Sequence, residues 1–71
     1  MSNKATEVTI AEQTLRVERK LLNIALKENH RGSFLRITEE TGGKHSSVII
    51  PATGIADFCR SLQKVADQFV R

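Results

Sequence analysis

The sequence predicts an α+β fold, a four-stranded antiparallel β-meander followed by one long C-terminal helix in the order β-β-β-β-α. Three observations predict it. Apolar and polar residues alternate through the central chain, as at Leu22, Ile24 and Leu26 against Asn23, Ala25 and Lys27, the period of a strand with one buried face. Turn signals, "ERK", "NHRG" and "ETGGK", interrupt that alternation at regular intervals and suit tight hairpins. After Pro51 the apolar period lengthens to that of a helix.

The elements follow in order. Met1–Thr6 is polar and reads as a frayed, disordered tail. The first strand spans about Gln13 to Glu18, with Leu15 and Val17 on one face, and the pair Val8 and Ile10 allows an earlier start. "LLNIALKE" is the second strand. Its Leu, Ala and Lys also favour helix, but its shortness and flanking turns decide for strand. "SFLRITE" is the third: Leu35 and Ile37 take the buried face, so Phe34, Arg36 and Thr38 take the opposite one. "SSVIIP" is the fourth, with an apolar run that leaves its facing open and a proline that ends the ladder. The helix runs from Thr53, a candidate N-cap, to Val70. Ile55, Phe58, Cys59, Leu62, Val65, Ala66 and Phe69 share one of its faces.

Length and charge narrow the function. Seventy-one residues make one small domain, and a domain of that size buries only roughly 60 % of its unfolded surface. A single cysteine, Cys59, permits no internal disulfide, and His30 and His45 lack zinc-site spacing. Pairing with a second subunit is the remaining support. Cys59, on the apolar helix face, reads as a buried structural thiol. Net charge is +3, but residues 15–36 alone carry six Lys/Arg against two Glu, which leaves +4 there and a negative remainder elsewhere. A basic patch of that kind attracts phosphate. With no signal peptide and no long apolar run, the chain reads as intracellular, in nucleus or cytoplasm, an organelle or bacterial cytoplasm fitting equally.

Catalytic and cofactor signatures are missing. Ser46, His45 and Asp57 have no nucleophile-elbow context, the Gly42–Gly43 pair joins two strands instead of opening a helix, and no metal or dinucleotide motif occurs. The chain reads as a non-enzyme without cofactor, metal, membrane or small-molecule substrate.

The stretches "TLRVERKLLNIALKENHRGSFLRITEET" and "SSVIIPATGIADF" resemble the Pur family, the purine-rich-element binding proteins, over about Thr14 to Phe69. "LKEN-x-RG-x-FLRI" carries most of the likeness, because order, spacing and residue type coincide. The resemblance implies that residues 1–71 form one PUR repeat. Two such repeats interlock through their helices into a Whirly-like unit that binds single-stranded DNA or RNA, with a preference for GGN-rich strands; some members also unwind short duplexes. With one repeat present, the partner is a second copy or another repeat. Lys27, Asn29 and Arg31 match the family's nucleic-acid-binding turn, Phe34 its base-stacking aromatic, and Arg36 a basic position on the same face; Arg16 adds a further cation. Ile55, Phe58, Cys59, Leu62, Val65 and Phe69 form the expected dimer interface. The chain departs from the family at Ser33, where Arg or Lys is frequent, and at Leu21 and Leu22, where aromatics are usual. Independently of the likeness, an outward Phe beside Arg36 and Arg31 suits base stacking next to phosphate contacts. The competing reading is a protein-interaction and dimerisation module with weak or no nucleic-acid binding, in which Phe34 packs against protein.

Overall fold

The computed structural model describes residues 6–69 of the chain, and the statements below concern those residues. The tail reading of Met1–Thr6 therefore falls, apart from the exposed Thr6, outside the described residues, as does Val70 at the expected helix end. Four strands, β1 (Val8–Val17), β2 (Lys20–Asn29), β3 (Gly32–Thr41) and β4 (Lys44–Pro51), form one antiparallel sheet in chain order, and α1 (Ala52–Asp67) follows without a loop. The expected β-β-β-β-α meander is the fold.

Each hairpin turns through two residues. Gly42 and Gly43 both have positive φ, 56° and 82°, which a two-residue turn of the hairpin hand requires and which glycine adopts without a Cβ clash. At the second turn the Asn29 side-chain oxygen accepts the Arg31 backbone N–H at 2.8 Å, a local closure typical of Asn.

The register sorts the side chains into two faces. Leu26 pairs with Leu35 and Ile24 with Ile37; Leu35 pairs with Ile50 and Ile37 with Val48; Leu15 pairs with Leu22. Alternation puts all of these on one apolar face. Lys27 opposite Phe34, Ala25 opposite Arg36 and Asn23 opposite Thr38 make up the other. The facing left open in "SSVIIP" is thereby fixed: Val48 and Ile50 join the apolar face, and Ile49 the polar one.

β1 begins five residues earlier than its apolar period predicts. Its N-terminal half is held by polar contacts instead. Asn23 donates to Glu12 Oε2 at 2.8 Å and to Thr14 Oγ1 at 2.9 Å, and Lys27 Nζ donates to Thr9 Oγ1 at 2.8 Å. A bulge between Thr9 and Ala11 leaves Ile10 unpaired and breaks the period that sequence reading depends on.

The helix start also differs from expectation. Pro51, with φ −61° and ψ 156°, occupies the N-cap position and makes no side-chain capping bond, so Thr53 is not the cap. Proline's locked φ suits both the last residue of a strand and the entry to a helix, so the chain changes element with no connecting residue.

One chain does not enclose a core. Ala25, 1 % exposed, is the one fully buried residue among those described. The radius of gyration is 14.2 Å, where a compact chain of this length would have about 11 Å. The first turns of α1 lean on β3 and β4, with Ile55 and Phe58 half-buried. Further along, Leu62 is 57 % exposed, Val65 70 % and, just beyond the helix, Phe69 89 %. Cys59 is exposed as well. This corrects the reading of a buried thiol: beyond its first turns, the helix face that carries it is left uncovered among the described residues.

Lys20 and Glu39 form a salt bridge toward the β1–β2 turn end of the sheet. The hydrogen bond from Lys20, aided by one from Thr41, holds the Glu39 carboxyl below the ordinary carboxylate range. A carboxylate whose folded pKa is depressed adds stability that is present above its unfolded pKa and lost as pH falls through the folded value. Glu39 should thus titrate below the ordinary glutamate value of about 4.3. NMR titration of its side chain should show a midpoint below that value, and Lys20→Gln should raise it.

Candidate nucleic-acid interface

Phe34 is the centre of the polar face at one end of the sheet. It is half-buried, pairs with Lys27 on β2 and with Pro51 on β4, and lies next to Ile49. Strand alternation places it there: its neighbour Leu35 belongs to the apolar face, so Phe34 must point the other way.

Cations surround it. The Arg36 guanidinium lies 5.5 Å from the Phe34 ring centroid, within cation–π reach. Lys27 is directly across the strand pair. Arg31, in the β2–β3 turn, has no ion-pair partner among the described residues. Asn29 closes that turn with its side-chain oxygen and keeps its amide N–H groups available. A hollow of about 370 Å³ opens between these groups, lined by Asn29, Arg31, Phe34, Arg36, Ile49 and Pro51 together with Glu7, Gly32 and Ser33.

Five of the six residues expected to bind nucleic acid, Lys27, Asn29, Arg31, Phe34 and Arg36, thus gather at one end of one face. Arg16 does not join them. It pairs with Leu21, six residues along β2 from Lys27, which at ~3.4 Å per residue puts it about 20 Å away. It shares the face, at the opposite end.

The structure adds Glu7, Ile49 and Pro51. Glu7 carries no sequence signal as a site residue because its partners are distant in the chain. Its Oε2 lies 3.2 Å from Arg36 Nη2, its Oε1 3.4 Å from Arg36 Nη1 and 3.9 Å from Lys27 Nζ. Ile49 and Pro51 enter through β4 register, which an apolar run conceals.

The arrangement combines an aromatic ring with cations and a polar turn. No group of three or more His, Cys, Asp or Glu that could hold a metal occurs among the described residues. It offers one aromatic face, a ring of cations and hydrogen-bond donors, the complement of a base joined to phosphates. No helix among the described residues is long and apolar enough to cross a membrane.

The family described as PurA ssDNA and RNA-binding protein matches residues 1–71. The chain is similar to the Transcription factor Pur-alpha 1 of Arabidopsis thaliana, 43 % identical over 53 residues, which is 75 % of this chain and 18 % of that protein. It therefore spans less than a fifth of the length of that relative. The basic turn, the aromatic-led third strand and the β-β-β-β-α order are those of a PUR repeat, and the chain belongs to the PurA family of single-stranded DNA- and RNA-binding proteins.

Proposed function

We propose that two copies of this chain pair through their uncovered apolar surfaces, and that the dimer binds single-stranded DNA or RNA inside the cell, favouring purine-rich strands. The observation that carries the binding half is the placement of Phe34 between Lys27, Arg31 and Arg36 in an open hollow. A base stacks on the ring while its flanking phosphates meet the cations. Purines present the larger π-face, and preferences of this kind arise from stacking strength.

The pairing half rests on two unmatched surfaces. Leu62, Val65 and Phe69 line one side of the helix and its end, and Leu15, Val17 and Val48 are exposed on the apolar sheet face. A shallow hollow of about 240 Å³ lies on that sheet face, lined by Leu22, Ile37, Val48, Glu39 and two serines. Each surface fits the other across a two-fold axis, so one protomer's helix covers its partner's sheet. Ile55, Phe58, Cys59, Leu62, Val65 and Phe69 form the seam. The relative is a transcription factor by name, and a single-strand binder acting on unpaired promoter or transcript segments is compatible with that role.

Sedimentation at micromolar concentration should give a mass near twice 7.9 kDa. Leu62→Asp, a charge in the seam, should dissociate or unfold the protein. Thiol labelling of Cys59 should slow as protein concentration rises. A monomer with a fast, concentration-independent labelling rate would remove the dimer.

Charge and stacking should separate in titrations of a labelled purine-rich oligonucleotide at several salt concentrations. Phe34→Ala should weaken binding by about 1–3 kcal/mol with little change in salt slope. Lys27→Ala or Arg31→Ala should weaken binding to every sequence and flatten the slope by about 0.7 for each phosphate no longer neutralised. Arg16→Ala should affect long strands and spare one of about four nucleotides, near the lower end of single-strand site sizes. If Phe34→Ala dissociates the dimer while the basic variants bind normally, the chain is a protein-interaction module.

A further inference from the structure

Glu7 is an acidic residue lining a site whose other charged groups are cations. Its carboxylate faces the Arg36 guanidinium edge-on at 3.2 and 3.4 Å, with Lys27 Nζ 3.9 Å from the same group. A phosphate oxygen would seek these same donors. The arrangement has a backbone cause. With simple alternation from Ala11, Thr9 and Glu7 would share the apolar face with Leu26. The bulge at Ile10 shifts the register, so that Thr9 pairs with Lys27 and donor and acceptor meet on the polar face. A one-residue insertion of this kind re-aims every side chain beyond it, and here it turns Glu7 onto the cations. Arg36, held by Glu7, lies against the Phe34 ring.

We propose that Glu7 is a built-in competitor for nucleic-acid phosphate: it offsets one of the two charges of Lys27 and Arg36 in the free protein, holds Arg36 against the stacking ring, and is displaced when a strand binds. The inference rests on the nucleic-acid reading of the same site and adds its regulation. Glu7 lowers affinity for any phosphate chain and leaves a site that holds its strand reversibly.

The test is Glu7→Gln, which keeps shape and removes charge. Circular dichroism and sedimentation should match the unsubstituted protein. An exposed ion pair of this type is weak, so the labelled oligonucleotide should bind on the order of three- to fivefold more tightly. The salt slope should steepen by about 0.7, because one more phosphate is neutralised without competition. The gain should shrink in an Arg36→Gln background, since the two groups act on each other. Unchanged affinity and slope in Glu7→Gln, with Lys27→Ala and Phe34→Ala still weakening binding, would overturn the competitor role. Weaker binding in Glu7→Gln would overturn it too, because Glu7 would then position Arg36 for the ligand. If Lys27→Ala and Phe34→Ala also bind normally, the nucleic-acid reading falls and this inference with it.

Discussion

Adjacent residues on β2 and β3 point to opposite sides of the sheet, and the rest of the molecule depends on that alternation. Leu26 and Leu35 pair on one face while Lys27 and Phe34, their chain neighbours, pair on the other. A slip of one residue would exchange the two sets, placing cations against the helix and leucines beside the Phe34 hollow. The tight hairpins fix the register that prevents this. The Gly42–Gly43 turn and the Asn29–Arg31 hydrogen bond hold both ends of β3 at set positions. The fold and the proposed site therefore share one pairing: the register that gathers apolar side chains on one face collects Lys27, Phe34 and Arg36 on the other.

The apolar face raises a second constraint. A single sheet and one helix covered only along its first turns leave Ala25 alone fully buried among the described residues. Burial of apolar surface is the main favourable term in folding, and a chain with so little of it has a thin stability margin. Leu62, Val65 and Val48, exposed in one chain, are the surfaces a partner would cover. Under the proposed pairing, folding and assembly become one event, and stability depends on protomer concentration. The polar faces stay outward in such a unit, so each protomer keeps its own Phe34 site.

Much of this is legible in the sequence, for physical reasons that differ by element. β2 and β3 show a clean period of two because the middle of one face is apolar, Leu22, Ile24 and Leu26 on β2 and Leu35 and Ile37 on β3, and turn residues bound each strand. The helix shows its apolar stripe because nothing interrupts it. β1 reads short because polar bonds from Asn23 and Lys27 replace apolar alternation in its N-terminal half. Thr53 resembles a cap because its hydroxyl is the usual capping chemistry, whereas proline supplies only a dihedral. Cys59 reads as buried because periodicity shows that a face is apolar and not what covers it. Arg16 counts toward the basic patch by sequence proximity, yet the sheet separates it from the hollow by the length of a strand. Glu7 has no local signal at all, since its pairs span 20 and 29 residues.

Strand β1 shows how one irregularity can adjust a site without altering the fold. The bulge at Ile10 lies on an edge strand, where pairing is least constrained and an extra residue does least harm to the ladder. Its effect is directional: the residues beyond it change faces. That places a carboxylate over cations that β2 and β3 supply from the other side of two hairpins. The strength of the site is then set by two separable features, a fixed ring of donors around Phe34 and a displaceable counter-charge from the chain's leading edge. Changes in β2 or β3 would alter the ring and the hydrophobic face together, because alternate residues serve both. Changes at Glu7 touch only the charge, which makes the N-terminal segment the place where affinity can vary while the fold stays as it is.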